Sequence, residues 1–198
     1  MTKITEHVPS VFVIISESPC FGHFFVKSSL LIISIMNYLG LEQNAIASTA
    51  KELNYLLANY HLYYQNLRNF HWNIQGENFF ELHAQFESLY NDALQKIDAI
   101  AERILTLRHR PLSCFSDYIS QSEIDESHQV DSDEAMIKII LENHRILIIN
   151  MRRIMALAAD CSDEGTIDMI GGFLENLEKK SWMLDAWSVR KLQTAPVL

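Results

Sequence analysis

From Phe79 to Ile104 the apolar residues Phe79, Leu82, Phe86, Leu89, Ala93, Ile97, Ile100 and Ile104 recur at intervals of three and four without exception. A strand would need an interval of two, so this period admits only an amphipathic α-helix with one buried stripe. The period runs until Arg110 and Pro111 stop it, which predicts a helix of about 30 residues, roughly 45 Å long. One side of the same helix carries His83, Glu87, Asp98 and Glu102, side chains that a packing stripe does not need.

Three further stretches share the helical period. Ile46, Thr49, Leu53, Leu56, Leu57, Tyr60, Tyr64 and Leu67 define a first helix from Glu42 to near Phe70. Asp131 to Glu134 (DSDE) supply an N-cap and first-turn acids for a third helix reaching about Ala159, and Ser162 to Gly165 (SDEG) do the same for a fourth reaching about Leu192. The polar segment from Pro111 to Val130 is expected to hold one short helix, Ser120 to Glu126. With only 6 Gly and 4 Pro in 198 residues, the composition favours helices over a turn-rich β fold. The fold expected is all-α: a ferritin-like four-helix bundle with a long crossover containing a short helix between its second and third long helices.

Residues 1–35 differ in character, being apolar, β-branched and aromatic, and broken by Pro9, Pro19 and Gly22. They read as an N-terminal extension, disordered or foreign to the native protein, with Met36 as the biological start and 36–198 as the folded domain. The longest uncharged run, Ser28 to Leu41, is about 14 residues against the roughly 20 needed to span a bilayer, so no membrane partner is expected. Ala45, Ile46 and Ala47 mimic a signal-cleavage site, but an apolar region beginning after Lys27 lies too far in for an export signal. Cys20, Cys114 and Cys161 are an odd number without a CxxC pair, which suits a reducing compartment and makes the cytoplasm the expected location. A net charge of −9 opposes general attraction to nucleic-acid phosphates and favours cations as partners.

His83 with Glu87, and Asp98 with Glu102, are pairs at i, i+4, each placing two metal-competent groups on neighbouring turns. Singly, each has an ordinary reading: a surface pair, a solvated acidic face, a structural histidine. Like charges four apart repel, however, so Asp98 and Glu102 call for a cation. The fifteen residues from His83 to Asp98 span roughly 22 Å of helix, far beyond the roughly 2 to 2.5 Å of metal coordination. Another helix of the bundle or a second chain must therefore close the site. The di-iron bundle solution uses ExxH motifs, and the sequence has none. Two copies of the helix packed antiparallel about a two-fold axis bring His83 and Glu87 of one against Asp98 and Glu102 of the other, twice over. His71, just past the first helix, approaches the same spot through the link at Gly76. Imidazoles and carboxylates without thiolates suit a redox-active first-row ion such as iron, although zinc would also bind.

The stretches FHWNIQG, FFELHAQFESLYNDALQKIDAIAERI and EKKSWMLDAW resemble the Dps family of mini-ferritins, the DNA-binding proteins from starved cells, over about Glu42 to Val189. The resemblance implies a homo-dodecameric shell with ferroxidase centres at its two-fold interfaces. At each, two Fe(II) ions become Fe(III) at the expense of hydrogen peroxide, or more slowly oxygen, and Zn or Mn can replace iron in vitro. It implies His71, His83 and Glu87 from one subunit and Asp98 and Glu102 from its neighbour as metal ligands, with Trp72 as a sacrificial electron donor. Asp163 and Asp168 fall near the family's iron-entry pores, although helix-capping acids would look the same. The remaining histidines, His61 and His144 among them, are read as structural or surface residues. The alternative function is a nucleoid-associated DNA-protecting protein. The family's basic tail is missing here: Met36 to Ala50 holds no Lys or Arg, and the far end offers only Arg190 and Lys191 before QTAPVL. DNA binding is therefore doubtful.

Overall fold

The computed structural model describes residues 38–194, so the expectations for 1–35 and for a start at Met36 lie outside the described residues. Five helices follow in order: α1 Gln43–Asn73, α2 Phe79–Thr106, α3 Phe115–Gln121, α4 Asp133–Asp160 and α5 Glu164–Thr194. The four long ones form the expected all-α bundle. Pairs such as Tyr63 with His144, Lys96 with Asn176, and His144 with Ser181 show α1 beside α4, α2 beside α5 and α4 beside α5, each antiparallel. That arrangement is possible because the crossover carries the chain back along the length of the bundle before α4 begins. None of the described helices is long and apolar enough to cross a membrane.

The core follows the predicted stripes. Leu53, Leu56, Leu57, Tyr60 and Leu67 of α1 and Leu82, Phe86, Leu89, Ala93, Ile100 and Ile104 of α2 are buried, packed against Met136, Ile140, Leu147, Met151 and Ile154 of α4 and Ile170 and Leu177 of α5. Leu and Ile burial of this kind contributes about 1.5–3 kcal/mol per side chain, which offsets the entropy of ordering such long helices.

Two boundaries differ from expectation. Helix α2 stops at Thr106, not at Arg110. Arg108 takes a left-handed φ of 64°, and the His109 and Arg108 N–H groups donate to the carbonyls of Ile104 and Leu105. This is a Schellman closure built without the usual glycine, so no sequence signal marks it. The short helix is Phe115–Gln121, not Ser120–Glu126. Asparagines of α1 decide this. Asn59 Oδ1 accepts from the Glu123 and Ile124 N–H groups and the Ser122 hydroxyl, which holds that stretch extended. Tyr118 of α3 meanwhile stacks on His61 at 3.8 Å. Asn54, Asn66 and Asn69 fasten other backbone groups of the crossover. A carboxamide serves because it offers both a donor and an acceptor to unpaired backbone.

A second polar set lies inside the bundle. Asp92 of α2 receives the Lys96 ammonium at 2.6 Å and the Lys180 ammonium of α5 at 2.9 Å, and Lys96 also donates to Asn176. Burial pushes Lys96 down; at Asp92 desolvation is the largest single effect and pulls upward, but the hydrogen bonds and charges of the two ammoniums together outweigh it and hold the carboxyl below its usual range. Beside them Tyr63 donates to His144 Nε2 at 2.7 Å. His144 is fully buried and its pKa is lowered to about 3, first by desolvation and then by Lys180 and Lys96. His144 is thus a core residue, not a surface one.

Candidate metal centre

The C-terminal end of α1 and the start of α2 are brought together by the link 74–78, where Gly76 adopts φ 100°, a conformation that costs a residue with a Cβ about 1–2 kcal/mol. The turn stacks His71 on His83, ring centroids 3.8 Å apart. Each imidazole bonds to the other residue's main chain: His71 Nδ1 to the His83 carbonyl at 2.9 Å, and His83 Nδ1 to the His71 carbonyl at 2.8 Å. A carbonyl can only accept, so both Nδ1 atoms carry a proton, and Nε2 is the nitrogen of each ring that can offer a lone pair to a metal. The His71 carbonyl is one of the orphan acceptors of the last turn of α1, so His83 satisfies the helix end while fixing its own tautomer. This is the arrangement that prepares histidines as metal ligands, with one nitrogen anchored by an outer partner and the other open.

Around the pair the environment is aromatic. Phe79 stacks on His83 at 5.0 Å, and Tyr90 meets His71 edge-on at 5.3 Å. The Tyr90 hydroxyl reaches Glu87 Oε1 at 3.4 Å, and its phenol is pushed up in pKa, first by desolvation and then by that carboxylate. Tyr90 was missed in the sequence, although its position three residues after Glu87 and seven after His83 sets it on the same face. Trp72 is 58% exposed and lies under the Arg68 guanidinium, 4.5 Å from the ring centroid.

His71 and His83 are brought together with Glu87 close by. Asp98 and Glu102 are not: they stand exposed further down α2, without an ion-pair partner among the described residues. Arg103, next to Glu102 in sequence, turns instead to Asp163 and Thr166 at the start of α5. No group of three or more His, Cys, Asp or Glu side chains within one chain is placed to hold a metal among the described residues. Two imidazoles thus stand at one end of α2 and two carboxylates without an ion-pair partner among the described residues at the other, and they do not meet within a single copy.

The two acids expected at a pore have different surroundings. Asp163 is 2% exposed and caps α5, its carboxylate accepting from the Thr166 N–H at 3.0 Å and the Thr166 hydroxyl at 2.6 Å as well as from Arg103. Asp168 is exposed one turn further on.

Residues 50–192 match the ferritin-like domain family. The DNA protection during starvation protein of Porphyromonas gingivalis is 40% identical over 156 residues, covering 79% of this chain and 98% of that protein. This chain belongs to the Dps family of ferritin-like proteins. Among solved Dps structures, that of Vibrio cholerae O1, described as a member of a broad superfamily of ferritin-like diiron-carboxylate proteins, superimposes with a TM-score of 0.75 at 42% identity over 77% of this chain and 96% of that one. Dps from Staphylococcus aureus gives 0.69 at 33% identity, over 71% and 94%. The Dps fold thus accounts for the four long helices and the crossover, and the imidazole and carboxylate donor set fits a di-iron carboxylate chemistry.

Proposed function

We propose that this chain is a ferroxidase and iron store, with ferrous iron and hydrogen peroxide as substrates and the catalytic sites built between two copies of a homo-dodecameric shell. The observation that carries the reading is the reciprocal His71–His83 bonding, which leaves two Nε2 lone pairs open, while the acids that would complete the shell lie roughly 22 Å away on the same helix. In a two-fold pair of α2 helices, His71, His83 and Glu87 of one copy face Asp98 and Glu102 of the other. Two Fe(II) ions each give up one electron, the O–O bond of hydrogen peroxide breaks, and two protons from solvent complete two waters. Because both electrons leave from adjacent ions, no hydroxyl radical escapes. Oxygen is the slower oxidant, and the ferric product moves to the cavity as mineral. Exposed Asp168 is the better pore acid, since the cap and Arg103 already occupy Asp163. Zn or Mn would compete for the same donors. Iron binding and protection are common to this reading and to the family's protective role; DNA contact adds nothing that the present geometry requires.

The test is an anaerobic Fe(II) titration of the sized oligomer followed by a peroxide pulse. A shell carrying His83→Ala and Asp98→Ala together is expected to assemble but to lose peroxide consumption at two irons per molecule. Unchanged stoichiometry in that double variant would overturn the site.

A further inference from the structure

Inside the bundle, away from the seam, one hydrogen-bonded chain has every proton assigned. The Ser181 hydroxyl donates to the Leu177 carbonyl at 2.7 Å, so its oxygen must accept from His144 Nδ1–H at 2.8 Å. The other ring nitrogen, Nε2, is then bare and accepts the Tyr63 hydroxyl proton at 2.7 Å. Tyr63 and His144 are 1% and 0% exposed. A phenol that donates a short bond to a buried, neutral imidazole can lose an electron without leaving a bare cation in the core, because its proton has a base to move to.

The surroundings connect this pair with the candidate metal centre. Tyr63 is eight residues before His71 on α1, roughly 12 Å of helix rise. Its chain neighbour Tyr64 meets Tyr90 edge-on at 6.0 Å, and Tyr90 meets His71 at 5.3 Å. Among the described residues no other phenol donates to an imidazole. The Tyr60 hydroxyl is buried with no partner among the described residues, and the acceptor of Tyr90 is Glu87, a carboxylate that iron would claim.

We propose that Tyr63 is a built-in one-electron donor, with His144 Nε2 holding its proton, that serves the seam site when a single Fe(II) is present; the idea rests on the ferroxidase reading above. Hydrogen peroxide needs two electrons, and one Fe(II) supplies only one. The second comes from Tyr63 through Tyr64 and Tyr90. The O–O bond breaks, two solvent protons complete two waters, Fe(II) becomes Fe(III), and Tyr63 becomes a neutral tyrosyl radical as its phenolic proton passes to His144. The groups facing His144 set when this happens. The Lys96 and Lys180 ammoniums oppose the new imidazolium and Asp92 favours it, so the electron is surrendered only to a strong oxidant, such as iron with peroxide, and not to ferric iron at rest. The consequence is that a half-filled site does not release hydroxyl radical.

Shells loaded with one Fe(II) per site are mixed with hydrogen peroxide, rapidly frozen and read by EPR, with ferric iron measured in the same sample. A tyrosyl signal that narrows with ring-deuterated tyrosine is expected, lost in Tyr63→Phe and strongly reduced in His144→Gln, while both variants still form ferric iron. A tyrosyl signal of undiminished strength in Tyr63→Phe, or a tryptophanyl signal alone, overturns the proposal. Fluorotyrosine placed at position 63 keeps the hydroxyl should Tyr63→Phe fail to assemble, and it must add fluorine splitting to the signal; a spectrum without that splitting also overturns it. Absence of ferric iron in every shell would instead refute the ferroxidase reading. An iron-free arm then judges Tyr63 alone. Oxidation of the apo shell by azide radicals from pulse radiolysis should leave the hole on Tyr63, and growth of tyrosyl absorption that is the same in Tyr63→Phe contradicts the proposal.

Discussion

The turn at His71 and His83 and the bundle interior around Asp92 hold much the same kinds of side chain, imidazole and carboxylate, yet they are opposite in state. In the interior every charge is answered: Asp92 lies between two ammoniums, and His144 has a donor on one nitrogen and an acceptor on the other. At the turn only the inner nitrogens are answered, and further along α2 Asp98 and Glu102 have no ion-pair partner among the described residues. A buried charge must be neutralised within the chain or the fold does not form, whereas an exposed one can wait for a partner. The comparison teaches that lysine does inside this bundle what a bound cation would otherwise do, and that the metal-binding capacity is kept for the surface.

The comparison can be broken most completely by mixing chains. Shells of His83→Ala alone and of Asp98→Ala alone should each lose ferrous oxidation. Shells reassembled from both together should regain it in part, because a mixed pair contains one seam with all its ligands and one with two defects. No recovery in the co-assembled shells, by peroxide consumption per iron, would mean that ligands do not come from two copies. Inside the bundle, Asp92→Ala should cost about 3–5 kcal/mol, because it strands the buried Lys96 ammonium, and should appear as a lowered midpoint in chemical denaturation. The same truncation at Asp98 should leave stability unchanged or raise it, since it relieves a like-charge pair. Acid offers a further test inside the bundle. His144 has a folded pKa of about 3 against 6.5 unfolded, so the unfolded chain takes up a proton that the folded chain refuses. Stability is full above pH 6.5 and falls by about 1.4 kcal/mol per pH unit between 6.5 and about 3. Denaturation of wild type and His144→Gln across that range should show the steeper acid loss in wild type only.

The helices and the core faces were legible because burial imposes a period that survives any detail of packing: each of the eight apolar residues from Phe79 to Ile104 lies in the core or packs against it. What escaped were features set by single side chains acting across the fold. The end of α2 at Thr106 relies on Arg108 in a conformation usually given to glycine. The position of α3 relies on Asn59, more than fifty residues away in sequence. Asp163 reads identically in sequence as a cap or as a pore acid, and its capping role emerges only when Arg103 and Thr166 are seen to hold it.

By itself the sequence determined that this chain is a bundle of four long amphipathic helices and that His83, Glu87, Asp98 and Glu102 share one helix while remaining too far apart to share an ion, because helical rise and periodicity are local properties of the backbone. Only the tertiary structure decided which histidines are open and which are spent. Proton assignment depends on partners: His71 and His83 gain theirs where the link at Gly76 folds α2 back on α1, and His144 gains its own where α1, α4 and α5 meet, a convergence that no spacing along the chain records.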